Sequence, residues 1–290
     1  MSMIVAFGLL TIDHRLTVDA VPLANQKVVA ADSDFDFGGP AANAAVTARA
    51  LGMPTRFITA VGAGLLTDFA TARLRAFGVE AIDLLDAEPG EPSISTVMVT
   101  ESTGDRTVVS HNALSVRANL PLTGRELDGA ATLLVDGHHM PTAIRLCRIA
   151  RERGITVIFD GGSWKDGTDD LLRFVDIAAV SQDFVPPGGG DTLEFAASAG
   201  CRRAVQTRGA KPIRVLDDGR HYEVAVLRIE DVVDTLGAGD VFHGALAFYV
   251  TRHAGGDADE VFPEHVRQAA VVASQSCRHK GAHPHSVHEI

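Results

Sequence analysis

Six short runs in this chain are apolar on consecutive positions rather than on alternate ones. They are IVAFG (4–8), RFITAV (56–61), TLLVD (132–136), ITVIFD (155–160), DIAAVS (176–181) and RAVQT (203–207). A strand with apolar side chains on both sides must be covered on both faces, which antiparallel surface sheets do not provide. Between these runs, AANAAVTARAL (41–51), LTDFATARLRAF (66–77) and TAIRLCRIARER (142–153) carry apolar residues at helical spacing. Doubly covered strands separated by helices predict an α/β fold: a doubly wound, mostly parallel sheet flanked by helices.

Two segments break this alternation. Residues from about 11 to 34 are polar and irregular after the opening strand. The stretch SISTVMVTESTGDRTVVSHN (93–112) has two β-rich runs joined by ESTGD, a turn signal, and predicts a hairpin. Strands inserted into an α/β chain pack off the main sheet. The two segments, about 11–34 and 91–113, are therefore expected to form a small β lid on a single domain spanning 1–290. A lid excludes water from a site, and its exposed edge favours pairing with a second copy, so a homodimer is expected.

With 37 acids against 26 bases the formal net charge is −11, the opposite of a nucleic-acid-binding face. No apolar run reaches the ~18 residues that a membrane span requires. The start, MSMIVAFGLLTIDH, lacks the basic region of a signal peptide, so a cytoplasmic protein is expected. Cys147, Cys201 and Cys277 are far apart and form neither a disulfide framework nor a zinc site. His279, His283, His285 and His288 crowd the C-terminal end without a nearby acid ladder, which argues against a metal site.

Two glycine-containing stretches carry the chemistry, and a third does not. There is no GxxxxGK[ST] phosphate loop, and GAGLLT (62–67), followed by Glu80, is only a partial dinucleotide fingerprint. In TLGAGD (235–240), Gly237, Ala238 and Gly239 leave backbone N–H groups uncovered just where a helix opens. Such N–H groups and the positive helix end suit a phosphate. Asp240 then sits in the first turn, where it could act as a general base beside an anion hole or simply complement the helix dipole. In FGGPAANAAVTARALG (37–52), Pro40 suits a first helical turn, and Gly39 and Asn43 could face a polyol or serve close packing on the sheet.

Taken together, DTLGAGDVFHGAL (234–246) and GGPAANAAVTARALG (38–52) resemble the signatures of the PfkB, or ribokinase-like, carbohydrate kinases. The likeness covers essentially the whole chain, and GDRTVVSHN (104–112) with DVFHGAL (240–246) is similar to ketohexokinase-like and sulfofructose-kinase-like members. The resemblance implies an ATP-dependent sugar kinase with a ribokinase-like fold, using Mg²⁺. Asp240 matches the base that deprotonates the sugar hydroxyl, and Gly237, Ala238 and Gly239 match the anion hole. Asp13, Gly39 and Asn43 match sugar contacts, and Arg106 a charge partner for the phosphate or an anionic sugar. His138 occupies the place of a substrate-reading side chain. Thr207 and Gly209 match an element beside the nucleotide phosphates. Gly281 lies in a loop that in relatives borders adenine and, in some, a monovalent cation such as K⁺.

The chain departs from the family pattern at SQDF (181–184), where many members carry NxxE. The usual metal-organising acid is missing there, and Asp183 is the candidate to hold Mg²⁺ through water. Pro40 stands where ribokinases carry Lys, which weakens ribose as the substrate. A nucleoside kinase of the same fold, or a catalytically silent sugar- or nucleotide-sensing protein, are the alternative readings.

Overall fold

The computed structural model describes residues 2–111, 120, 122–253, 262–281 and 283. The chain begins with β1 (Met3–Phe7), β2 (Thr11–Val18), β3 (Asp32–Gly38), α1 (Pro40–Ala50), β4 (Thr55–Thr59), α2 (Leu65–Ala76) and β5 (Glu80–Asp83). Next come β6 (Ser93–Thr100), β7 (Arg106–Ser110), β8 (Ala130–Val135), α3 (Met140–Glu152) and β9 (Thr156–Gly161). The remainder is α4 (Thr168–Leu172), β10 (Ile177–Ser181), α5 (Thr192–Ser198), β11 (Arg203–Arg208), β12 (Lys211–Asp217), β13 (Arg220–Val224), α6 (Ala238–Arg252) and α7 (Phe262–Ser276).

Nine strands form the main sheet in the order β13-β12-β11-β10-β9-β8-β1-β4-β5. From β11 to β5 every neighbouring pair is parallel, and β12 and β13 add an antiparallel hairpin at one edge. Each apolar run named above is a strand here, shifted by at most two residues at either end. The doubly apolar pattern has its expected cause. One face packs under α1, α2, α6 and α7, with Ala41, Leu74, Phe242 and Phe262 in its core. The other packs under α3, α4 and α5, around Leu146, Leu171 and Leu193. Phe7, Phe57 and Phe159 are fully buried between these layers, each contributing about 1.5–3 kcal/mol of hydrophobic stabilisation.

A second, four-stranded sheet has the order β3-β2-β6-β7. The predicted hairpin is β6–β7, while residues 112 and 113 of the expected range lie outside the described residues. The expectation of an irregular 11–34 segment is corrected. Thr11–Val18 and Asp32–Gly38 are regular, antiparallel strands joined by the 19–31 loop, and β2 also pairs in parallel with β6. The reason is chemical: Asp13, Arg15, Asp34 and Asp36 share one face of β2 and β3. Charged side chains on that face erase the hydrophobic alternation by which a half-buried strand is recognised.

Candidate active site

The helix α6 opens at Gly237, an N-cap residue at φ 74°, ψ 2°. The first hydrogen bond of the helix runs from Val241 N–H to Gly237 O at 2.8 Å, so the N–H groups of Gly239 and Asp240 precede the regular ladder. A Cβ built at Gly239 would meet nothing within 4 Å, which leaves this backbone open to a bulky group. Gly237, Ala238, Gly239 and Asp240 are thus brought together in one turn as the sequence predicts.

Asp240 is held from a distant part of the chain. Asn43, buried on α1, donates from Nδ2 to Asp240 Oδ2 at 2.6 Å. The close approach of α1 and α6 depends on Gly244, where a Cβ would stand 2.3 Å from Ala44 O. Burial and the charge of Asp160 push the Asp240 carboxyl up to about 7, against the Asn43 hydrogen bond and the charge of His243. One turn further along α6, His243 Nδ1 lies 2.9 Å from Asp160 Oδ2, both side chains being buried. Burial opposes a charged His243, but the Asp160 carboxylate outweighs it and raises the imidazole pKa.

The other half of Asn43 is engaged too. His283 donates from Nε2 to Asn43 Oδ1 at 2.7 Å and stacks on Phe37 with ring centroids 4.0 Å apart. Its Nδ1 faces Asp36 Oδ2 at 3.4 Å, and Arg73 grips the same carboxylate with two hydrogen bonds of 3.2 and 3.0 Å. Burial would raise the pKa of Asp36, but the bonds from His283 and Arg73 hold it well below the ordinary range. With its amide bonded at both ends, Asn43 has one orientation, with Nδ2 toward Asp240.

A cleft of about 280 Å³ opens between the small sheet, α2 and the C-terminal loop, lined by Asp13, Arg15, Asp36, Arg73, Leu236 and His283 among others. Asp240 does not line it, but is joined to it through His283 and Asn43. Asp13 accepts a 3.0 Å bond from Thr11 Oγ1, and burial raises its pKa. Its carboxylate fills the space a Cβ at Gly38 would need, while Gly39 caps α1 at φ 111°, where a Cβ would meet Leu9 O at 2.1 Å. The two glycines of GGPAAN thus have separate causes: room for an acid and a left-handed backbone.

The remaining predicted residues lie at the carboxyl ends of β8, β10 and β11, on the small sheet and in the C-terminal loop. His138 follows β8 and donates from Nδ1 to Asp136 at 3.0 Å. Thr207, next to last in β11, lies opposite Ser181 of β10, and Gly209 turns into β12 at φ 60°. Asp183 is exposed just beyond β10, its N–H bonded to Ser181 Oγ at 3.0 Å. Arg106 of β7 reaches Thr235 Oγ1 at 2.6 Å, immediately before the Gly237–Asp240 turn. Gly281 donates its N–H to Asp234 Oδ2 at 3.0 Å.

Sequence reasoning missed Asp136, Asp160 and the role of His283. Asp136 is fully buried and accepts from Leu9 N, Ala41 N and His138 N, tying β1, α1 and the start of α3 together. The acids ending TLLVD and ITVIFD were the available signal, since an acid closing an apolar strand faces the ligand edge of such a sheet. Of the tail histidines, His283 bonds Asn43, while His285 and His288 lie outside the described residues. At the partial dinucleotide motif, Glu91 accepts from Leu65 N and Leu66 N, both at 2.9 Å. The start of α2 therefore already has its anion.

The profile of the pfkB family carbohydrate kinases matches residues 1–289. The chain belongs to that family. The resemblance, the ribokinase-like α/β fold and the phosphotransferase class expected above are borne out. Among curated proteins, this kinase is 28% identical over 258 residues to fructosamine kinase FrlD of Bacillus subtilis, covering 84% of this chain and 85% of that one. It is 22% identical over 295 residues to the bifunctional ribokinase/ribose-5-phosphate isomerase A of Fructilactobacillus sanfranciscensis, covering 95% of this chain and 52% of that longer protein. In fold it is similar to the structure of Arabidopsis thaliana ribokinase complexed with ribose and ATP. There the TM-score is 0.77 at 21% identity, over 98% of this chain and 96% of that one.

The metal expectations meet different surroundings in this pfkB kinase. No cluster of three or more His, Cys, Asp or Glu suited to a metal ion occurs among the described residues. An exposed Asp183 nonetheless fits Mg²⁺, which keeps several waters and binds through one or two carboxylates plus substrate phosphates. The surroundings of Gly281 do not fit K⁺. The carboxylate that Gly281 touches, Asp234, also accepts from Leu236 N at 2.9 Å and meets Arg15 Nη1 at 3.0 Å and Arg106 Nη1 at 3.6 Å. Among the described residues, two amides and two guanidinium groups already surround this carboxylate, and both guanidinium groups would repel a cation.

Proposed function

We propose that this protein is an ATP-dependent kinase of a small neutral sugar, with Asp240 as the general base. The observation that carries this is Asp240 itself: a carboxyl pushed up to about 7, held by Asn43, in the first turn of a helix whose leading N–H groups are uncovered. A base with a pKa near the working pH combines a useful ionised fraction with real proton affinity.

In this reading the γ-phosphoryl group lies against the N–H groups of the Gly237–Asp240 turn. The sugar enters by the cleft and reaches past His283 to Asp240, its hydroxyls read by Asp13 and by Arg15 Nε, a buried donor with no partner among the described residues. As the hydroxyl oxygen bonds to the γ-phosphorus, Asp240 takes its proton, the bond to the β–γ bridging oxygen breaks, and ADP leaves. Gly39 shapes the cleft wall, Asn43 orients the base, and His138 braces Asp136. Thr207 and Gly209 line the nucleotide phosphates, in keeping with the ATP bound by the Arabidopsis relative. Asp183 would hold Mg²⁺ through water. The ion, when bound, neutralises charge on the phosphate oxygens.

A neutral sugar is favoured over a sugar acid because the cations around the cleft are already matched. Arg73 is paired with Asp36, Arg15 and Arg106 with Asp234, and Lys280 with Asp32. Any carboxylate or phosphate on the substrate would have to compete with these acids.

The small sheet serves as the lid of a single domain, with Arg15, Asp34 and Val97 facing the cleft. Its outer face carries Phe35, Ile94 and Val109, which are 50%, 43% and 63% exposed. An apolar outer face beside the exposed edge strand β7 supports a homodimer through the lid. Among the described residues no helix is long and apolar enough to cross a membrane, and a cytoplasmic kinase is the reading in keeping with that.

The test is ADP release measured across neutral ketoses and aldoses, amino sugars, sugar acids and nucleosides, with Asp240→Asn as the control. Turnover confined to nucleosides, or binding without ADP release for every compound, would remove the reading.

A further inference from the structure

Asp234 stands six residues before the base and is the meeting point of four parts of the chain. Its side chain is 8% exposed. Oδ1 accepts from Leu236 N at 2.9 Å, closing the turn that leads into Gly237, and Oδ2 accepts from Gly281 N at 3.0 Å. Arg15, from β2, places Nη1 3.0 Å from Oδ2, and Arg106, from β7, places Nη1 3.6 Å from Oδ1. Arg106 also donates from Nη2 to Thr235 Oγ1 at 2.6 Å. The backbone on either side is anchored as well, Val233 N–H and Asp234 N–H both donating to Cys277 O.

The two arginines occupy the central and edge strands of the small sheet, and both point to its cleft side. Their common target belongs to the turn proposed to hold the phosphoryl group. Two guanidinium groups converge on one carboxylate where Gly281 and Asp234 meet. A monovalent cation there would face the repulsion of both guanidinium groups at a carboxylate that already accepts two amides.

Resting on the sugar-kinase reading, we propose that Arg15, Arg106 and Asp234 are positioning residues that clasp the small sheet onto the phosphate turn, their guanidinium charge standing in place of a monovalent cation. The sugar cleft and the phosphoryl site are then assembled by one contact. When the small sheet covers the cleft, Arg106 and Arg15 fix Asp234, and Asp234 fixes the Leu236 and Gly281 backbone. The kinase works equally well with or without K⁺.

The experiment has two arms on the full chain. In the first, wild type is assayed at constant ionic strength in tetramethylammonium chloride and in KCl, and the rates agree within about two-fold because only screening remains. The Arg15→Gln/Arg106→Gln double variant loses on the order of ten-fold or more in kcat/KM, the scale of lost charge-assisted hydrogen bonds. It also gains stimulation by K⁺, which a residue of merely structural role would not confer. Strong K⁺ activation of wild type overturns the proposal, and so does a double variant indifferent to K⁺. In the second arm, thermal unfolding without substrate follows Arg106→Gln, Asp234→Asn and their combination. The combined loss in Tm falls short of the sum of the single losses because the two act as one contact; additive losses overturn the clasp. This arm needs no turnover, so an absence of sugar phosphorylation speaks against the kinase reading while the clasp is still read.

Discussion

Asn43 Nδ2 donates a 2.6 Å hydrogen bond to Asp240 Oδ2 across 197 residues of chain. The acceptor is a carboxyl that burial and Asp160 drive toward neutrality, and Asn43, together with the charge of His243, opposes this by favouring the charged form. The bond therefore orients the carboxylate and also favours its ionised form.

Replacing Asp240 with Asn removes the proton acceptor at nearly constant shape. The kcat for sugar phosphorylation falls by at least ~100-fold, the usual worth of a general base, while sugar binding measured by calorimetry is retained. Because the folded carboxyl has a raised pKa, ionising it costs stability as pH rises from its ordinary value of 3.8 through about 7. Asp240→Asn should then melt higher than wild type at pH 8, with the gap closing at pH 4.

The pH profile follows from the same group. With Asp240 as the proposed base, kcat/KM should fall as pH drops through about 7. Asn43→Ala removes a contact that lowers the pKa and should move this acid limb to higher pH. A limb that stays in place in the variant would show that another group controls it.

His283→Ala frees Asn43 Oδ1 and lets its amide turn away from Asp240. Loss of one hydrogen bond is worth about 1 kcal/mol, or roughly five-fold in kcat. His283→Gln, which can still donate to Asn43, should recover part of the rate.

Gly244→Ala sets a methyl group 2.3 Å from Ala44 O and must push α1 and α6 apart. Overpacking of this kind costs about 1–3 kcal/mol, read as a lower Tm. The same variant should lose kcat, because Asn43 and Asp240 sit on the two helices that separate.

Asp160→Ala leaves the buried His243 without its carboxylate and should destabilise by about 3–5 kcal/mol. The imidazole pKa is raised in the folded protein, so the stabilisation from this pair is complete below its ordinary value of 6.5 and fades as pH rises through the folded value. Urea melts at pH 6 and pH 9 should show a larger difference between wild type and variant at pH 6.

Local spacing by itself determined the covered strands, the helices between them, the hairpin β6–β7, and the helix starts that present Gly39 and Asp240. Each depends on residues within one or two turns of one another, where periodicity and backbone freedom decide the outcome. The strand β2 was not legible, because Asp13 and Arg15 face a cleft and break the apolar alternation. Only the tertiary structure decided the partners: Asn43 with Asp240, His283 with Asn43 over 240 residues, and Arg15 and Arg106 with Asp234. A hydrogen bond depends on tenths of an ångström, and those distances are set by how closely α1 packs on α6 and where the small sheet lies. The sequence placed an acid at a helix start; packing gave it Asn43 as a partner and raised its pKa.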